Sequence, residues 1–460
     1  MIISKGEIMK NTLLKSYLKY LIPTITTMIL FSTYTMVDGI FVGRGVGASG
    51  ISAVNVSMPY VTFAFSLSIL ISVGSLNLIG YQLGKGDKEK ANEFFSICIS
   101  MALVVAFLLA SLSYIFIDRL IYFLGASPEI KPLVHDYISV IIFFTPFYIM
   151  SYAFEIMVKA DGRPIVSTVC MAISAVTNIV LDYVFIFKLH MGVRGAAIAT
   201  GIAQSLPTFA YLSYFLSNKA GLKFRKYELK FYKIKEVLSY GFPASVQELS
   251  SGFVILLFNN VISIYYGVEG LAAFSVISYI MIFVVNVMLA INQSSQPLLS
   301  FYFGKEEFEN VLGIRKFMLR TVLIISVLMV LVIELRPEFF VNVFIADYEE
   351  SFLPFAIKSL RIFAISFLVM GFNITNAGYM TAVQRPRYDF YITILRGYVL
   401  MAILVYLMPM AFGRKIIWNV ATITEAITMI FSVFLVKSEL KEIMKLTQRR
   451  DKHIKVKYQQ

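Results

Sequence analysis

Displaced by 220 residues, the sequence matches itself without a gap, Pro23–Lys85 lying against Pro243–Lys305. Pro23 falls on Pro243, Gly47 on Gly267, Gly50 on Gly270, Ala53 on Ala273, Ile71 on Ile291, Ser75 on Ser295 and Leu78 on Leu298. Gly84-Lys85 falls on Gly304-Lys305, and Ala160-x-x-Arg163-Pro164 returns as Ala382-x-x-Arg385-Pro386 at an offset of 222. A period this long excludes solenoids and short arrays, and leaves one large unit used twice.

The solvent for that unit is set by composition. Of 460 residues, 58% are hydrophobic and 15% charged, with a mean hydropathy of +0.75. Soluble domains sit near ~50% and ~25%. Helices this apolar on all faces suit lipid. Twelve apolar spans are expected, at about 19–43, 52–83, 94–117, 134–159, 165–189, 195–217, 237–266, 270–302, 316–336, 352–382, 388–411 and 416–436. Glycine- and proline-marked turns separate them. Barrel strands would be runs of ~10 alternating residues, half these lengths. Met1–Lys19 is mixed polar with four lysines, so the first apolar run is expected to remain as a span.

The net charge of +13 is topology rather than a nucleic-acid footprint. With the N-terminus inside, 29 of the 41 Lys and Arg fall in inner segments, eight in outer loops and four within spans. That asymmetry places both termini in the cytoplasm and the chain in the cell membrane, in contact with lipid. The expected organisation is an N-terminal six-helix lobe (1–217), a basic linker (218–236), a C-terminal six-helix lobe (237–436) and a basic tail (437–460). Six is even, so the lobes are parallel repeats about an axis along the membrane normal. Matched bundles with a substrate site between them are the build of secondary transporters.

Charges within spans are costly and mark function. Asp38 lies about 19 residues into an outward-running span, and Asp182 about 17 into another. Asn178 and Tyr34 lie one turn before them on the same faces, and Thr200, about five residues into an inward-running span, reaches the same outer depth. Carboxylate, amide and hydroxyl oxygens at one depth form a candidate site for Na⁺ or a shared proton. In the second half the offsets put Phe258, Leu400 and Leu404 opposite Asp38, Asn178 and Asp182, so ion coupling is expected in the N-terminal lobe alone. Glu248 and Gln247, near mid-depth, are candidates for lining a central cavity. Pro23 and Pro243 sit early in equivalent spans, where proline bends a helix. The 21 methionines, Met288 among them, suit binding of varied apolar cations.

Several chemistries have no residues to carry them. Cys98 and Cys170 lie in separate apolar runs, as buried free thiols would, and His135, His190 and His453 show no ligand spacing. There is no G-x-x-x-x-G-K-[ST] phosphate loop, so no cofactor is expected, and an ion gradient, H⁺ or Na⁺, is the expected energy source. No nucleophile, metal or cofactor set supports an enzyme.

Pro23 followed by Val37-Asp38-Gly-Ile-Phe-Val-Gly43 resembles the first helix of the multidrug and toxic compound extrusion (MATE) family. So do Asn178-x-x-Leu-Asp182-Tyr-Val-Phe-Ile-Phe187 and Met191-Gly-Val-x-Gly-Ala-Ala-Ile-Ala-Thr200, while Gly84–Ala91 and Gln296-Pro297…Gly304 match the family's cytoplasmic junctions. The resemblance implies an all-α integral membrane protein, V-shaped, with twelve helices in two lobes. It implies export of amphipathic, often cationic compounds in exchange for Na⁺ or H⁺. In the prokaryotic branch with the ion site in the N-terminal lobe, the matching positions are Tyr34, Asp38, Asn178, Asp182 and Thr200. Asp182 and Glu155 are further candidates for the substrate, Glu155 matching an acidic position used for cationic drugs. A monomer is expected. The alternative reading is a lipid-linked saccharide flippase of the same broader superfamily, for which a cationic central cavity is expected, whereas the deep charges here are mainly acidic.

Overall fold

The computed structural model describes residues 5–228, 230–344 and 352–457, and these are almost entirely helical. In the first half the helices are α1 (Lys5–Val46), α2 (Ala48–Gly84), α3 (Lys88–Ile115), α4 (Ile117–Phe123), α5 (Lys131–Ala160), α6 (Pro164–Asp182) and α7 (Gly192–Leu216). There follow α8 (Phe231–Gly304), α9 (Phe308–Leu335), α10 (Pro337–Phe344), α11 (Phe352–Ala364), α12 (Ser366–Ala382), α13 (Pro386–Ile394), α14 (Leu400–Phe412) and α15 (Val420–Lys457). Two π-helical turns, Tyr183–Lys188 and Leu395–Val399, extend α6 and join α13 to α14.

Among the described residues, ten helices are long and apolar enough to cross a membrane. One of them, α8, covers two expected spans, and its break is Gly267, at φ 60° and ψ −145°. The expected span 195–217 corresponds to α7, which is not among the ten, and α4 and α10 are short helices that periodicity did not announce. The last three residues of the expected tail lie outside the described residues.

The repeat is visible in the backbone. Gly47, at φ 89°, is the counterpart of Gly267 and turns the chain into α2. Gly86 (φ 80°) has Glu306 (φ 58°) as its counterpart, so the second half keeps a left-handed turn without the residue that favours it. After Gly86, the Asp87 carboxylate caps α3 by accepting from the Lys90 backbone N–H at 3.0 Å. That bond and the Lys90 ammonium hold the Asp87 carboxyl below the usual carboxylate range.

The helices form two compact units, Leu18–Ser245 and Met1–Tyr17 with Val246–Gln460. The first is centred on α2 and α5, whose buried faces carry Ile71, Val73, Leu76, Ile79, Ile149, Ala153, Phe154 and Met157. The Ser75 hydroxyl turns back on its own helix to Ile71 O at 2.8 Å, and that of Ser68 donates across to Ile149 O on α5 at 2.9 Å, which satisfies both where water is excluded. The linker belongs to this unit. Asp161, in the α5–α6 turn, accepts from the Gly221 and Leu222 backbone N–H groups at 3.0 and 2.7 Å and from the Tyr214 hydroxyl at 2.6 Å. Asn92 and Ser96 on α3 take the Lys223 and Arg225 N–H groups, both at 2.9 Å. The start of α8 completes the unit: Val237 is wholly buried, and Gly74 and Gly241 let α2 and α8 approach backbone to backbone.

Candidate functional site

Helix α6 is amphipathic in the inverted sense. Ile165, Val169, Ile173, Val176 and Val180, at helical spacing, are each more than half exposed, while Ser167, Cys170, Ser174, Asn178 and Asp182 are buried. In water that arrangement would be inside out; in lipid it turns the polar stripe towards protein partners. The partners are α7 and α1. Ser174 Oγ donates to Ala203 O at 2.7 Å, and one turn on Asn178 Nδ2 donates to Thr200 Oγ1 at 3.3 Å. Thr200 Oγ1 in turn donates to Ala196 O at 2.9 Å.

From α1, Asp38 (8% exposed) meets Asp182 (0%) within reach of a shared proton. Tyr34, one turn earlier, lies within electrostatic range of both and accepts from Gln204 Nε2 at 2.8 Å. Behind them, Tyr137 and Tyr148 on α5 are buried within range of the same carboxylates. The five residues singled out in the sequence thus meet within one unit. Gln204 was missed, although it follows Thr200 by one helical turn and shares its face.

Four acceptors of this cluster go without a donor. Asp38 Oδ1, Asn178 Oδ1 and both Asp182 carboxylate oxygens are buried and accept no hydrogen bond. An unpartnered acceptor costs about 1–3 kcal/mol, more for a charged one. Four in one cluster are compatible with burial once a cation or proton stands among them.

The other candidates lie elsewhere. Glu155 is ion-paired with Lys159, one turn on in α5, at 2.6 Å. The pair is buried, at 6% and 1% exposed, so Lys159 is an interior charge and not the surface residue assumed in the count of inner basic residues. Gln247 accepts from Arg396 at 3.1 Å. Glu248 is half-buried, and Ser251 donates to its backbone oxygen, not to its carboxylate. Met288 is wholly buried, with Gly371 packed at its sulfur, and fills the interior of its unit. Pro23 lies inside a continuous α1; its carbonyl accepts from the Thr27 and Thr168 hydroxyls, both at 2.9 Å, which ties α1 to α6. Pro243 lies inside the continuous first part of α8 and is buried, whereas Pro23 is half-buried.

The family model described as MatE matches residues 23–184 and again 243–407, the second match starting 220 residues after the first. The chain is 25% identical over 431 residues to the multidrug export protein MepA of Staphylococcus haemolyticus, covering 93% of this chain and 94% of that one. It is 25% identical over 442 residues to MepA of Staphylococcus aureus, covering 94% and 96%. Among solved structures, an outward-facing multidrug resistance MATE family transporter of the MOP superfamily superposes with a TM-score of 0.88, at 20% identity over 94% of this chain and 96% of that one. A MOP superfamily transporter from Pyrococcus furiosus gives 0.87, at 20% identity over 94% and 96%. With matches in both halves spanning most of its length, on a multi-pass helical fold, this chain is a member of the MATE family of membrane transporters.

Proposed function

We propose that this protein is a secondary active antiporter that exports amphipathic, cationic compounds across the cell membrane in exchange for H⁺ or Na⁺. The observation that carries the reading is the cluster of four donorless buried oxygens on Asp38, Asn178 and Asp182. Two adjoining carboxylates in a dry site cannot both hold charge cheaply, so the site takes up a cation when closed and gives it up when water enters. Alternating exposure of such a site, linked to exposure of the substrate, is what makes an ion gradient drive export. The relatives' description as multidrug export proteins supports the substrate class. The basic linker and tail support cytoplasmic termini.

The test uses purified protein in vesicles, with a fluorescent aromatic cation as substrate and inward-directed Na⁺ and H⁺ gradients imposed separately. Export driven by one of the two is expected, and the one that drives it names the coupling ion. Equal flux with either gradient and with none would defeat the antiport reading.

A further inference from the structure

The second unit contains a polar cluster of opposite character. Arg396 and Glu425 form an ion pair at 2.7 Å between the π-helical turn and α15, with 6% and 1% exposure. Both Glu425 oxygens are engaged, Oε1 by Arg396 Nε and Oε2 by Asn373 Nδ2 at 2.8 Å. Arg396 Nη1 donates to Gln247 Oε1 at 3.1 Å, and Ser432 Oγ donates to Asn373 Oδ1 at 2.9 Å.

At the offset of 222, Arg396 is the counterpart of Ser174 and Glu425 that of Ala203. Those two residues make the α6–α7 bond in the first unit, at 2.7 Å. The same contact is therefore a neutral hydroxyl–carbonyl bond in one half and a charged pair in the other. One half carries a carboxylate cluster whose oxygens accept no hydrogen bond; the other carries a carboxylate whose cation is covalently tethered.

We propose that Arg396 sets the ion stoichiometry of transport: it is a tethered cation that keeps Glu425 from becoming a second exchangeable cation site. The proposal rests on the antiport reading. Without Arg396, a buried carboxylate with an amide donor and the Gln247 oxygen nearby must recruit a cation from solution, as Asp38 and Asp182 do.

The experiment measures the driving gradient at which net substrate flux stops in vesicles, which gives the number of cations exchanged per substrate. Arg396→Gln is expected to raise that number by one. Arg396→Lys, which keeps the charge, and Arg396→Ser/Glu425→Ala, which copies the pair found in the first half, are expected to keep the wild-type number. Glu425→Gln alone is also expected to keep it. An unchanged number in Arg396→Gln, or a lowered one in Glu425→Gln, would overturn the proposal. Should Arg396→Gln fail to fold, Arg396→Met takes its place with the same two readings, a rise by one supporting the proposal and an unchanged number overturning it. Failure of the antiport reading is separate: the wild type itself would then show no gradient-driven flux.

Discussion

Glu155 and Asp182 are both buried acids in spans of one unit, yet their surroundings give them different work. Lys159 answers the charge of Glu155 within its own helix, whereas nothing donates to Asp182. Glu155→Gln should leave the Lys159 ammonium buried without its partner, at a cost of about 3–5 kcal/mol, and Glu155→Gln/Lys159→Met should recover most of it. Thermal unfolding in detergent reads both. A cationic substrate at Glu155 would have to compete with a lysine 2.6 Å away. Asp38→Asn and Asp182→Asn should behave differently from Glu155→Gln: each should keep a folded protein and abolish gradient-driven export. An amide supplies the cluster with a donor and removes the exchange of charge. Normal export in either variant would make the cluster a structural tie between α1 and α6. That these residues share a site was legible in the sequence because depth follows from helix rise and side follows from the basic-residue asymmetry. The pairs Glu155–Lys159 and Arg396–Glu425 leave no such trace: Lys159, last residue of its expected span, reads equally as an inner-side charge, and Arg396 and Glu425 are 29 residues apart on different helices.

At the scale of elements, apolar length placed most helices, but α1 starts at Lys5 and α9 at Phe308, well before their expected spans, and α15 runs on to Lys457. What length could not show was where helices merge, divide or change pitch. Gly267 breaks the backbone where the sequence puts a turn, but the π turns arise inside stretches whose composition is ordinary for a span. Asn218–Lys235, rich in lysine, read as a linker between lobes; its backbone is in fact captured by Asn92, Ser96 and Asp161. Side chains that accept from a distant backbone leave no periodic trace in sequence. Asp161→Ala removes two of these bonds together with the one from the Tyr214 hydroxyl, and each is worth about 1.5–3 kcal/mol when the acceptor is charged. Amide hydrogen exchange at residues 221–226 should speed up at least tenfold, with helices α2 and α5 unaffected. Unchanged exchange would mean that the α3 contacts alone hold the segment.

For the molecule as a whole, the duplication left more trace in backbone than in chemistry. Gly47 and Gly267 keep one conformation at matched positions, and Gly86 and Glu306 keep another despite the change of residue. Buried side chains at matched positions have diverged from Ser174 and Ala203 to Arg396 and Glu425. A self-comparison of the sequence detects the first kind of symmetry and is blind to the second, since a contact is a property of two positions. The dependence of the first unit on residues 219–245 also bears on how the protein is made. Its core is closed by Leu222 and Val237, both buried, so a ribosome that has released only residues 1–217 has produced six hydrophobic segments but no finished body. Synthesis must continue into the next apolar segment before the first body can lock. Membrane-inserted nascent chains halted after residue 217 should be cut readily by protease at the N-terminal end of α3 and the C-terminal end of α5. Chains halted after residue 266 should resist, so the first product of translation to gain protection is seven segments long.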